Sequence, residues 1–350
     1  MNTEERIKMF KDVFKPISGE SVLIIIDKPH GSIKDNENWV DRREMAKEWY
    51  ISFKEFGKKS NFSVDLLEYN ATGMHNNLIS NDILNIAKKY NIVIAMTEYS
   101  ASSSLIPICQ GEGSITRCAS MPTVERRMEK TAFKADYTLV QKNAIVLENM
   151  LNNAIGAEVS FSTEDKLFLD LRNRKAKSDK GDCSKKGQSI NFPSGEACKV
   201  PYESVGEEKK YYGKSKTNGV LPVDYNGEIV KFQIKENRIN KIVGDGNKAQ
   251  EMEKFFEKNE SRRNIAELGI GCNPNAVVTG NILEDEKVGG LHIAYGMSNF
   301  LGGKVESDVH QDICYPKGAP IEAKSLILIC KDGSKIEIIK DALLQYNLLG

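Results

Sequence analysis

Histidine is scarce in this chain of 350 residues: there are four, so few imidazoles are available for chemistry. Net charge is absent, because Lys+Arg and Asp+Glu both total 49. A general polyanion binder is thereby excluded, since such proteins carry a basic surplus or a concentrated basic face. The one local basic cluster, Arg174 to Lys186, reads as a solvated loop. No CxxC occurs, and the seven cysteines are odd in number and scattered. That excludes a disulfide framework and a zinc ribbon and predicts reduced thiols in a cytoplasmic protein. No stretch approaches the ~20 apolar residues of a membrane span. The opening MNTEERIKMFKDVF is charged and amphipathic, unlike a signal peptide. Neither GxGxxG nor GxxxxGK[ST] is present, so no phosphate-cradling loop is expected. There is no internal repeat.

Ordinary proportions of apolar residues (40 %) and charged residues (28 %) predict a globular protein, long enough for two domains. The first half alternates apolar runs with helical spacing. Helices are predicted over Glu4–Phe14, Arg42–Phe56 and Ser80–Tyr90, and strands over Ser21–Asp27, Ser63–Tyr69 and Asn91–Thr97. Such alternation implies an α/β domain with a parallel sheet. Thr123–Lys134 and Ala135–Ala157 read as mostly helical. The character then changes to short strands: Val159–Phe161, Lys166–Leu171, and a hairpin of Gly227–Ile234 and Arg238–Val243 about Lys235-Glu-Asn237. Arg172–Gln188 reads as a loop, Asn247–Asn259 as a helix, and Ser325–Cys330 and Lys335–Ile339 as strands. The expected organisation is an α/β domain over 1–155 and an α+β catalytic domain over 156–350.

Two of the four histidines, His292 and His310, fall within Ile265–Asp312. Neutral imidazole is the commonest transition-metal ligand, and carboxylates add charge and can bridge two ions. The candidate set is Glu196, Glu267, Asp285, Glu286, His292, His310 and Asp312. If extended, His310 and Asp312 point the same way, and His292 shares a face with Ala294 and Gly296. Glu267 reads as opening a Gly-rich turn. Asp285 and Glu286 read as surface charges, and His30 and His75 as plain loop histidines.

Several motifs follow one another in order: Asn191-Phe-Pro-Ser-Gly-Glu196, Ala266-Glu-Leu-Gly-Ile-Gly271 with Asn273, Glu284-Asp-Glu-Lys287 leading to Gly289-Gly-Leu-His292-Ile-Ala-Tyr-Gly296, and Ser307-Asp-Val-His310-Gln-Asp312. The set resembles the aminopeptidase T-like metallopeptidases, a family of leucyl-type aminopeptidases. The resemblance is specific over Asn191–Asp312; in the N-terminal half only the α/β pattern agrees. It implies an N-terminal α/β domain, a catalytic C-terminal domain, a peptide substrate, two divalent ions (zinc, cobalt or manganese) and a homodimer, with no nucleic-acid or membrane partner. It further implies metal ligation by Glu196, Glu267, His292, His310 and Asp312, with Glu267 shared between the ions. No proton-shuttling carboxylate is singled out.

One position departs from the family. A tyrosine is usual seven residues after the first histidine, and here that position is Asn299. Tyr295 lies nearby, but at a position that is normally aliphatic. A second reading therefore stands beside the first. His292, His310 and Asp312 alone make two histidines and a carboxylate, the facial triad of mononuclear Fe(II) oxygenases, and a ring-cleaving dihydroxypyridine dioxygenase looks similar in this region. A metal-binding scaffold without turnover is the third.

Overall fold

A computed structural model describes all 350 residues. Its strands, in chain order, are β1 (Ser21–Lys28), β2 (Ser63–Asn70), β3 (Ile92–Ala95), β4 (Arg117–Ser120), β5 (Ala154–Phe161), β6 (Lys166–Asp170), β7 (Ala176–Asp179), β8 (Ser189–Asn191), β9 (Glu196–Lys199), β10 (Asn218–Tyr225), β11 (Glu228–Lys235), β12 (Arg238–Val243), β13 (Ile265–Gly271), β14 (Gly290–Gly296), β15 (His310–Cys314), β16 (Ala323–Cys330), β17 (Lys335–Lys340) and β18 (Leu343–Leu344). Helices are α1 (Thr3–Phe14), α2 (Glu37–Ser60), α3 (Asn81–Ala87), α4 (Ser102–Gln110), α5 (Tyr137–Asn153), α6 (Glu208–Tyr212), α7 (Asn247–Glu257) and α8 (Ile282–Asp285). None is long and apolar enough to cross a membrane.

The chain forms two compact units. Unit 1 holds Met1–Gln141, Gly181–Ser194 and Asn275–Val277. Its sheet has the order β2-β1-β3-β4-β8, and every pair in it is parallel. The apolar run Val22–Ile26 is buried throughout, as a strand covered on both faces requires. Asn36 caps α2 by accepting from the Trp39 amide at 2.8 Å, and the helix buries Trp39, Met45, Trp49 and Phe53. A cut near residue 155 would assign β8 to the second half. Its parallel pairing with β4 places it in unit 1.

Unit 2 is built of two antiparallel sheets. One has eight strands in the order β12-β11-β10-β6-β5-β16-β17-β18, the other five in the order β15-β14-β13-β9-β7. They share one apolar core, to which Val159, Phe232 and Leu326 come from the larger sheet and Leu268, Ile270 and Ile293 from the smaller. The β11–β12 hairpin turns on Glu236 and Asn237, whose φ values of 51° and 68° are those of a primed turn. The whole is therefore α/β, with a parallel sheet in one unit and antiparallel sheets in the other.

Three local expectations change. Thr123–Lys134 contains two short 3-10 turns rather than an α-helix. The polar segment Arg172–Gln188 contains β7, which pairs with β9. Glu267 does not open a turn: Ile265–Gly271 is one buried central strand, and its glycines serve packing rather than chain reversal.

Candidate metal centre

The five-stranded sheet sets out the candidate residues by register. Glu196 starts β9 and lies opposite Gly271 of β13. Gly269 lies opposite His292 of β14, and Glu267 opposite Ala294. Ala294 in turn faces Asp312 of β15, and Gly296 faces His310. Because side chains alternate along a strand, these positions bring Glu196, Glu267, His292, His310 and Asp312 to one face. The other face carries Leu268, Ile270, Ile293 and Tyr295 into the core.

Two glycines of β13 shape that face. A Cβ on Gly269 would lie 1.9 Å from His292 Nε2, so the imidazole rests across a position with no side chain. A Cβ on Gly271 would lie 2.2 Å from the Val288 carbonyl oxygen, so the 286–288 backbone crosses there. The Gly-Ile-Gly pattern is thus a pair of same-face gaps, one holding a ring and the other admitting a segment that carries Lys287.

Glu267 is the hinge of the cluster. Its Oε1 is 3.4 Å from His292 Nε2, and that nitrogen is 3.3 Å from Glu196 Oε2. Its Oε2 is 3.2 Å from His310 Nε2, which is 3.6 Å from Asp312 Oδ1. Two groups result, Glu196–Glu267–His292 and Glu267–His310–Asp312, and within each the ligand atoms lie within 4.8 Å of one another. His310 Nδ1 is 2.7 Å from the Met297 carbonyl. With Nδ1–H donating there, Nε2 is the nitrogen directed at Glu267 and becomes a donor to an ion once it gives up its proton, which is how outer partners orient a ligating histidine.

The electrostatics are those of tightly coupled charges. Burial disfavours both imidazolium forms. The carboxylates of Glu196 and Glu267 outweigh burial at His292, and those of Asp312 and Glu267 do so at His310, so both rings are held well above the ordinary value. Burial also pushes the carboxyls of Glu196 and Glu267 up. Lys287 and His292 more than offset this at Glu196, and the two imidazoles do so at Glu267, leaving both below the usual carboxylate range. A cation entering either group would therefore displace protons from the rings.

One residue of this face carries no role in the motif reading. Lys287 is wholly buried and bonded by Nζ to Glu196 Oε1 at 2.5 Å and to Glu286 Oε1 at 2.8 Å, with Asp179 Oδ2 at 3.9 Å. Burial disfavours its ammonium, but the carboxylates of Glu196, Glu286 and Asp179 outweigh it and raise its pKa well above the ordinary lysine value. The signal is in the sequence, as a lysine directly after Glu284-Asp-Glu286 and one residue ahead of Gly289-Gly290. Glu286 is correspondingly not a surface charge: its side chain is 12 % exposed, and burial pushes its carboxyl up to about 8 against the pull of Lys287. Asp285 instead accepts from the amides of Thr279 and Gly280 and closes a turn.

Tyr295 faces the core, 5.2 Å from the Phe256 ring, and does not join the cluster. Asn299 is exposed on a short 3-10 turn, and its neighbour Phe300 sets a ring edge against His310 with centroids 5.0 Å apart. His30 and His75 lie exposed on loops of unit 1. A cavity of about 650 Å³ borders Asp312 and is walled by apolar groups including Met252, Phe255, Ile282 and Ile313.

No family model and no curated protein matches this sequence. Solved structures do match. The chain is similar to 2,5-dihydroxypyridine dioxygenase from Pseudomonas putida KT2440, at 15 % identity over 98 % of each chain, with a TM-score of 0.68. It is also similar to wild-type AmpT from Thermus thermophilus, at 10 % identity over 98 % of this chain and 99 % of that one, with a TM-score of 0.64. At these identities the likeness is one of fold, and the fold is shared by a dioxygenase and an aminopeptidase.

Proposed function

We propose that this protein is a metal-dependent aminopeptidase that removes N-terminal residues from peptides with the help of two divalent ions. One observation carries the reading: the two carboxylate oxygens of Glu267 face two different three-residue groups, one with His292 and one with His310. A carboxylate so shared is the donor arrangement of a two-ion centre. The set fits such ions chemically, since imidazoles with carboxylates suit zinc, cobalt or manganese. When bound, a pair of divalent ions supplies an activated water and polarises a scissile carbonyl.

The chain's own groups supply the rest. The apolar cavity beside Asp312 accommodates an apolar side chain of the substrate. Met297 fixes the ring of His310, and Gly269 leaves room for that of His292.

The test is a peptide assay after loading with cobalt, zinc or manganese. Peptides with free, apolar N-termini should shorten one residue at a time by mass spectrometry, N-acetylated ones should not, and Glu267→Gln should abolish turnover. A second reading is favoured by Lys287, whose bond to Glu196 draws one oxygen away from an ion. It is a mononuclear Fe(II) ring-cleaving dioxygenase. One iron per chain with oxygen uptake on a dihydroxypyridine, and no peptide turnover with any loaded metal, would replace the first reading with this one.

A further inference from the structure

The two three-residue groups are not equivalent, and the difference is Lys287. The group of Glu267, His310 and Asp312 has one imidazole and two carboxylates, and the ion pairs of those carboxylates are with imidazoles, not with a lysine or arginine. The group of Glu196, Glu267 and His292 has the same donor types, but Glu196 Oε1 is bonded to the Lys287 ammonium at 2.5 Å. Only Oε2, 3.3 Å from His292 Nε2, faces the group. Lys287 cannot swing aside, because it is wholly buried and also held by Glu286 at 2.8 Å. Its backbone is fixed as well: the Lys287 carbonyl accepts from the Asn273 amide at 2.9 Å, and the segment crosses Gly271.

We propose that Lys287 is a built-in cation that makes the two ion positions unequal, so that the Glu267–His310–Asp312 position fills first and the Glu196–Glu267–His292 position is the weak, exchangeable one. This rests on the two-ion reading. Two effects act in the same direction. Lys287 occupies one oxygen of Glu196 and reduces it to a single-oxygen donor. Its fixed positive charge also repels a divalent cation at close range, where screening by water is weak. Lys287 is a positioning residue in this scheme and touches no substrate.

The order of filling can be read in the unaltered full-length protein. Crystals are soaked with one equivalent of Co(II) and, separately, with excess, and anomalous peaks are located. The first peak is expected between Glu267, His310 and Asp312, and the second, only at excess, between Glu196, Glu267 and His292. A first peak beside His292, or both positions filling together, would overturn the inference and leave the two-ion reading intact. A single peak at the His310 position even at excess overturns the two-ion reading and, with it, the exchangeable second position. No peak in either place overturns both. The charge is then tested by Co(II) titration of Lys287→Met and Lys287→Gln, each checked for a cooperative melt. The weaker binding step should tighten at least tenfold in both, while the tighter step moves little. An unchanged or weakened second step in a folded variant counts against Lys287 as the cause.

Discussion

The two faces of the five-stranded sheet bury positive charge in opposite ways, and β9 shows both within four residues. Glu196 points to the face with the histidines, where it holds the buried Lys287 at 2.5 Å. Lys199 points to the other face, where its Nζ finds only the carbonyls of Leu151 at 2.7 Å and Ala154 at 2.9 Å. A buried charge is costly unless it is paired. On the first face carboxylates outweigh burial and raise the lysine's pKa; on the second, burial and the Lys331 charge lower it to about 8. Of the carbonyls that receive Lys199, that of Leu151 lies in the last turn of α5 and that of Ala154 just beyond it, where the helix dipole favours a cation but does not replace a counter-ion. Lysines on the two faces of one sheet thus read as parts of different things: Lys287 belongs to a cluster of carboxylates and imidazoles, and Lys199 to a packed interior that tolerates a cation.

The largest effect should come from disturbing the first face at a position that bears no charge. Gly269→Ala puts a methyl where the His292 ring lies, with the Cβ 1.9 Å from Nε2. The ring must leave, and the Glu196–Glu267–His292 position should lose its ion altogether. Metal analysis after equilibrium dialysis should fall from about two ions per chain to about one, with an overpacking cost of about 1–3 kcal/mol in stability. Two ions retained would show that His292 does not depend on that gap.

This also explains how much of the molecule was legible in sequence. The parallel α/β half was readable because runs such as Val22–Ile26 are buried on both faces and leave no other interpretation. The ligand candidates were readable because imidazoles are so few. In sequence Glu267 reads as opening a turn, since Gly-Ile-Gly ordinarily marks one, and only the register of β13 against β14 reveals that its glycines leave space for other residues. β7 was hidden because a strand of Ala-Lys-Ser-Asp is polar, its half-buried positions facing charges rather than core. Lys287 stands within the Glu284–Lys287 motif, yet burial is a tertiary property, and a lysine that follows three acidic residues and precedes Val288-Gly-Gly290 reads as solvent-exposed until the fold closes over it.

On the second face the expected effects are on stability alone. Ile293→Ala removes a fully buried side chain from the core behind His292. It should cost about 2–5 kcal/mol in urea unfolding, with metal content unchanged. Loss of an ion would mean that the faces are not separable. Next in size is a pH effect. Lys199 has a folded value of about 8 against an ordinary 10.5. Between those values the unfolded chain binds more protons than the folded one, so stability should rise with pH across that window, by at most about 3 kcal/mol. Lys199→Met should remove the rise. The first face should slope the other way in protein stripped of metal. His292 and His310 are raised in the fold, so their contribution is complete below about 6.5 and is lost as pH rises through their folded values. Unfolding curves at a series of pH values, with His310→Gln beside wild type, separate the two slopes.

The smallest effect should come from Phe300, which borders the first face without belonging to its charge network. Its ring meets His310 edge-on at 5.0 Å, but it is 45 % exposed, and the turn that carries it is held by Lys177 Nζ donating to its carbonyl at 2.7 Å. An aromatic contact of this kind is worth about 0.5–1.5 kcal/mol, and exposure places it at the low end. Phe300→Ala should therefore weaken ion binding at the Glu267–His310–Asp312 position only about two- to threefold, and leave the other position as it was. The reason is the Met297 carbonyl, which keeps His310 Nδ1 at 2.7 Å and so fixes the ring whether or not Phe300 is present. A chelator competition assay reads the difference. A loss of tenfold or more would show that packing, rather than the backbone hydrogen bond, orients the histidine, and the charged face would then depend on its surroundings much as the apolar face does.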